Sequence, residues 1–177
     1  MNPDFQQSHF ALFGLPERFA LDGAALDAAW RAVAAEVHPD RYAHAGDAEK
    51  RVALMMATRV NEAYRTLKSP LARARYLLAL AGTDTQEDTN TAMPADFLMQ
   101  QMEWREAIEE ATRAREAARL ERLAAELGAE ARTLEGQLGD ALDTARDLPH
   151  AAALVRKLRF LEKLGQEIDD ALELALS

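Results

Sequence analysis

The sequence predicts an all-α fold in two units: an N-terminal antiparallel helical hairpin with flanking short helices, then a C-terminal three-helix bundle. Three observations carry that prediction. Apolar residues recur at three-and-four spacing along most of the 177-residue chain. Ala, Leu, Glu and Arg dominate, with only 8 Gly and 6 Pro, a composition that suits helices. One stretch, Thr83 to Thr91, is polar and has no apolar period. The first unit is therefore set at 1–82, a linker at 83–93 and the second unit at 94–177.

The elements follow in order. A short helix from Ser8 to Phe13 pairs Phe10 with Phe13; Gly14 ends it and Pro16 prevents continuation. Asp22 caps the next helix, with Leu21 and Leu26 at the two positions of a hydrophobic staple. Leu26, Trp30, Val33 and Val37 form its apolar stripe, while Asp27, Arg31, Ala34 and Ala35 face outward. Pro39 biases His38 away from the α region, so this helix stops at about Val37 and His38-Pro39-Asp40-Arg41 projects as an extended corner. Asp47 and Glu49 favour the start of the partner helix through its dipole, and Val52, Met56, Val60, Ala63 and Leu67 form its stripe. Ser69-Pro70 opens a fourth helix through Leu77, Leu78 and Leu80, and Gly82 closes it.

In the second unit helical patterns run from about Pro94 to Glu110, Arg113 to Ala145 and Pro149 to Leu176. Leu120, Leu123, Leu127, Leu134, Leu138 and Leu142 line the middle helix, with Gly136 and Gly139 weakening it locally. Leu154, Leu158, Leu161, Leu164, Ile168 and Leu172 line the last, and three such stripes bury one another. On the first helix of this unit Phe97, Gln101, Trp104, Ile108 and Ala111 make one stripe. Leu98, Met99, Met102, Glu103 and Glu106 cluster on nearly the opposite side. A bundle helix buries only one such face, which predicts an exposed apolar patch rimmed by carboxylates. Phe160 falls about 100° off its own helix's stripe, which predicts exposure for it too.

Charge and composition exclude several function classes. Up to Ala81 ten Lys/Arg oppose nine Asp/Glu, a net of +1; from Gly82 eleven oppose twenty-one, a net of −10. Neither part has the cationic surplus that neutralising phosphates requires, so no nucleic-acid partner is expected. The acidic second half suits a solvated surface or a basic protein partner. The absence of cysteine excludes disulfides and Cys-ligated zinc or iron–sulfur centres. His9, His38, His44 and His150 lack zinc-ligand spacing. No nucleophile pattern or Gly-rich loop accompanies His38 and Asp40, so no catalytic residue, cofactor or metal is assigned. No signal-like or membrane-length apolar run occurs, which predicts a soluble, cytoplasmic protein without a membrane partner.

The corner and its surroundings carry a resemblance. His38-Pro39-Asp40 between two helices, the short helix before it, Asn61-Glu62-Ala63-Tyr64 and the Ser69-Pro70 turn together resemble the J-domain of DnaJ-type co-chaperones. Phe10 to Pro16, Ser69 to Leu78, Phe97 to Met102 and Val155 to Lys163 narrow the resemblance to the HscB family of iron–sulfur co-chaperones, over essentially the whole chain. The resemblance implies a two-domain, L-shaped co-chaperone that is not itself an enzyme. Its J-domain would stimulate the ATPase of a DnaK-type (HscA-like) chaperone, and its C-terminal bundle would deliver the iron–sulfur scaffold protein (IscU-like).

It also implies roles for particular residues. Asp40 would pair with an arginine on the chaperone's nucleotide-binding domain, with His38, Pro39, Arg41 and Arg31 completing the contact. A carboxylate fixed on a rigid corner accepts a bidentate guanidinium at low entropic cost. Leu98, Met99, Met102, Glu103, Glu106 and Phe160 would hold the scaffold. The chain departs from the J-domain pattern on the second helix, which is usually basic and here carries Arg31 alone, leaving further electrostatic docking to Arg41, Lys50 and Arg51. Two alternatives stay open: a J-protein delivering another client to a general DnaK-type chaperone, and a helical adaptor whose corner is only structural.

Overall fold

The computed structural model describes residues 4–177, and among these every regular element is helical. The chain divides into two compact units, one running to Ala81 and the other beginning at Gly82.

In the first unit helix α1 (His9–Leu12) is capped by the Ser8 hydroxyl, which accepts from the Ala11 amide. It ends at Gly14, whose φ of +63° glycine adopts without a Cβ penalty. Helix α2 (Gly23–Glu36) starts at Asp22, whose carboxylate accepts from the amides of Ala24 and Ala25. Helix α3 (Asp47–Lys68) and helix α4 (Pro70–Leu80) are separated by Ser69, which caps the latter ahead of Pro70. Phe10, Leu26, Val60, Ala63 and Leu67 are fully buried in one core, with Phe13, Val37 and Met56 beside them. Trp30, Val33 and Val52 sit at the edge of that core, partly buried. The stripes of α2 and α3 therefore meet as their spacing predicts.

In the second unit helix α5 (Ala95–Ala114), helix α6 (Ala117–Gly139) and helix α7 (Leu148–Leu176) pack as a three-helix bundle. Helix α5 runs one turn longer than its periodicity suggests and α6 starts correspondingly later. The break is Arg115, which adopts the left-handed conformation at φ 53° and carries no Gly or Pro signal to announce it. Past Gly139 the chain loosens into a π-helical turn, Asp140–Ala145, that keeps Ala141 and Leu142 buried. Ala171, not Leu172, takes the last buried place on α7; Leu172 is only partly covered.

The segment expected to be a linker is held on the second unit. Arg156 donates to the Thr85 carbonyl at 2.9 Å, and Arg159 reaches Asp88 at 2.9 Å and Glu87 at 3.9 Å. A polar run without apolar period gives no hint of this, because its fastening comes from arginines about 70 residues away.

Candidate functional site

His38, Pro39, Asp40 and Arg41 lie at the α2–α3 junction. His38 is extended (φ −59°, ψ 129°), so α2 ends at Glu36 as the proline demands. The corner is not extended throughout, however: Pro39–Tyr42 closes one turn of 3₁₀ helix. His38 caps that turn, its Nδ1 accepting from the Asp40 amide at 3.2 Å. With Nδ1 accepting, the neutral ring carries its proton on Nε2. Asp40 Oδ2 lies 3.6 Å from the same Nδ1, an ion pair only with a protonated ring. The Asp40 side chain is 92% exposed.

Two neighbours tie the turn to α2. Arg41 donates weakly to the Ala35 carbonyl at 3.5 Å and the Tyr42 hydroxyl to the Glu36 carbonyl at 3.4 Å. Both acceptors belong to the last turn of α2, whose carbonyls lack intrahelical partners. The turn is thus braced from below while its carboxylate faces solvent. Arg41 therefore has a structural task besides being exposed.

A polar network locks α2 to α3. Trp30 stacks on Tyr64 with centroids 4.7 Å apart, and its indole N–H donates to Asn61. The Tyr64 hydroxyl and Lys68 both donate to Asp27 at 2.8 Å. Asp27 was expected to face solvent with Arg31. Instead it is turned against α3, and these hydrogen bonds, Lys68's first and Tyr64's second, hold its carboxyl below the usual range. Lys68 is raised in turn by Asp27. Arg31 is exposed on α2, and Lys50 and Arg51 are exposed on the first turns of α3.

On α5 the predicted division of faces holds. Phe97, Gln101, Trp104, Ile108 and Ala111 are buried, whereas Leu98, Met99 and Met102 are 43%, 64% and 70% exposed. Glu103 and Glu106 are exposed alongside them. Gln101 is the one polar member of the buried stripe, and its Nε2 meets no acceptor among the described residues.

Phe160 departs from expectation. It is partly buried, its ring set edge-on to Phe97 at 6.4 Å with the Arg105 guanidinium 5.0 Å from its centroid. Arg105 falls between Phe97 and Leu98 around α5. Phe160 therefore borders the Leu98/Met102 patch across Arg105. Being off its own helix's stripe turns a residue toward a neighbouring helix as readily as toward water, and helical arithmetic on one element cannot separate the two. No group of three or more His, Cys, Asp or Glu able to hold a metal occurs among the described residues, and none of their helices is long and apolar enough to cross a membrane.

Comparison with known proteins bears on the family and the fold. The family model described as "HSCB C-terminal oligomerisation domain" matches residues 93–169. The "Co-chaperone protein HscB homolog" of Chromobacterium violaceum is 65% identical, covering 98% of each chain. The solved structure of "Chaperone HscB from Vibrio cholerae" superposes with TM-score 0.83 at 36% identity, covering 96% of this chain and 99% of that one. The crystal structure of human co-chaperone protein HscB gives 0.87 at 28% identity, over 94% and 83%. Sequence likeness over nearly the full length and the same helical architecture lead to one conclusion: the chain belongs to the HscB family of co-chaperones.

Proposed function

We propose that this chain acts in iron–sulfur cluster assembly by bringing a scaffold protein (IscU-like) to a DnaK-type (HscA-like) chaperone and stimulating that chaperone's ATPase. The first unit acts as a J-domain through His38, Pro39, Asp40 and Arg41, with Arg31 beside them. Asp40 takes a guanidinium of the chaperone in a charge-assisted pair; the His38 cap and the Arg41 and Tyr42 braces set its position beforehand. The chain supplies geometry and binding energy, while the hydrolysis belongs to its partner.

The observation that carries the client half is the exposed Leu98, Met99 and Met102 on a helix whose opposite stripe is fully used in the core. Three large apolar side chains left in water beside Glu103 and Glu106 have the make-up of a protein-binding patch, with an apolar centre and a charged rim. Phe160 forms one wall of it.

The test is a steady-state ATPase assay of the chaperone with and without this chain and the scaffold. The expected result is stimulation by the chain alone and greater stimulation with both. A chaperone indifferent to the chain would overturn the first half of the reading. A scaffold that neither binds the chain nor adds to its effect would overturn the second.

A further inference from the structure

Helices α5 and α7 run parallel and in register. Phe97 meets Phe160, and eleven residues further along Ile108 and Ala171 line one groove; each pair is 63 residues apart in sequence. The two places are roughly 16 Å apart along the helices. Along this length and into the groove one flank of α5 presents Leu98, Met102, Arg105, Glu109 and Thr112 at alternating four- and three-residue spacing. The facing flank of α7 presents Phe160, Glu167 and Leu174 at heptad spacing. The patch at Leu98, Met102 and Phe160 is therefore the near end of a seam that continues along the bundle.

The far end is a groove of about 490 Å³ with Ile108, Ala171 and Leu174 among its lining. Leu174 is 65% exposed, an apolar side chain left at the rim. Glu109, Glu167 and Asp170 border it against the single cation Arg113. One Asp170 oxygen accepts from Gln166, which leaves the rim's charge in place. This half of the chain carries a net charge of −10, so a second copy would set carboxylates against carboxylates. A cationic segment with an apolar side chain matches both the floor and the rim.

We infer that the α5–α7 groove at Ile108, Ala171 and Leu174 is a second docking station, taken by a Lys/Arg-bearing apolar segment of the same client that covers Leu98 and Met102. The inference rests on the client reading above and lengthens its surface. One partner spanning both stations gains affinity from each while losing its rigid-body freedom once. The acidic rim adds chiefly to encounter rate and orientation.

The experiment is a calorimetric titration of purified scaffold protein into the full-length chain, using the parent, Leu98→Ala/Met102→Ala, and Glu109→Lys/Glu167→Lys/Leu174→Ala. All five positions are exposed, and circular dichroism checks that the helices persist. The groove variant should bind about tenfold more weakly, with a shallower salt dependence than the parent. If Leu98→Ala/Met102→Ala binds like the parent, the client reading itself fails and this inference falls with it. If that variant loses binding while the groove variant matches the parent, only the second station is overturned. Light scattering that shows a parent dimer dissolved by the groove substitutions would assign the groove to a second copy and overturn the client occupant. Amide resonances of Thr112 and Leu174 in the unsubstituted chain should shift on adding scaffold, and resonances that stay fixed would sink the inference without any variant.

Discussion

His38 Nδ1 accepts the Asp40 amide proton at 3.2 Å, so one side chain of the corner sets the backbone that carries the other. This separates two roles that substitution can test. Asp40→Asn removes charge and leaves the cap. His38→Asn removes the ring and retains an oxygen able to cap the turn. Both should abolish stimulation of the chaperone's ATPase with stability changed by no more than about 0.5 kcal/mol, since the residues are exposed. Full stimulation by Asp40→Asn would remove the carboxylate from the mechanism; partial activity in His38→Asn would assign the ring a largely architectural role.

Chaperone docking should depend weakly on salt for a J-domain. Arg31 stands alone on the outward face of α2, Asp27 is engaged with Lys68, and Arg41 leans on the Ala35 carbonyl. Few exposed charges are then free to be screened. Affinity measured from low to physiological salt should fall only modestly, and Arg31→Ala should flatten the dependence further. A steep fall that survives Arg31→Ala but disappears in Lys50→Ala/Arg51→Ala would place the electrostatic contact on α3.

Three apolar members of the proposed client patch, Leu98, Met102 and Phe160, should differ in their effect on stability. Leu98→Ala and Met102→Ala remove exposed side chains and should leave the melting temperature nearly unchanged. Phe160→Ala loses an edge contact with Phe97 and should cost about 1–2 kcal/mol. That is less than the roughly 2–5 kcal/mol expected for a core change such as Leu164→Ala. Each substitution should weaken scaffold binding, with an anchor contributing on the order of 2 kcal/mol. Thermal melts run beside the binding titrations check both halves, and a Phe160→Ala that melts like the parent would contradict its packed position.

Acid should weaken the first unit through His9. Its ring stacks on Tyr76 at 4.3 Å and its Nδ1 is buried without a partner among the described residues. Burial first, then the nearby Arg59 charge, lower its pKa below 6.5, with Glu62 opposing. The unfolded chain therefore binds a proton at a higher pH than the folded one. This contribution to stability is complete above 6.5 and is lost as pH falls from there through the folded value. Denaturant melts across that window should show the decline in the parent and a flatter profile in His9→Gln. An unchanged slope in the variant would assign the decline to other groups.

Much of this architecture is legible in the residues themselves. The five stripe positions of α5 are all buried, and Asp22, Ser69 and Pro70 start helices where their chemistry requires. Such features depend on spacing and on neighbours within a few residues. What was not legible depends on partners distant in sequence. Asp27 is turned inward by Tyr64 and Lys68, Phe160 by Phe97, and the 83–93 stretch is fastened by arginines of α7. The 3₁₀ turn at Pro39–Tyr42 lies between these cases, because the proline signals a break without specifying the conformation that follows.

The fastening of Thr85, Glu87 and Asp88 by Arg156 and Arg159 bears on how the bundle can be cut free. A fragment beginning at Pro94 would strip both arginines of these acceptors and uncover the flank of α7 that the segment occupies. A fragment beginning at Thr83 keeps them. Limited proteolysis should accordingly nick the chain near Ala81 and Gly82, where the backbone is exposed and Gly82 adopts φ +74°, and should spare the nine polar residues, Thr83 to Thr91, that follow. Those residues behave as the leading edge of the bundle, and a truncation series that recovers a more stable fragment from Thr83 than from Pro94 would give their contribution directly.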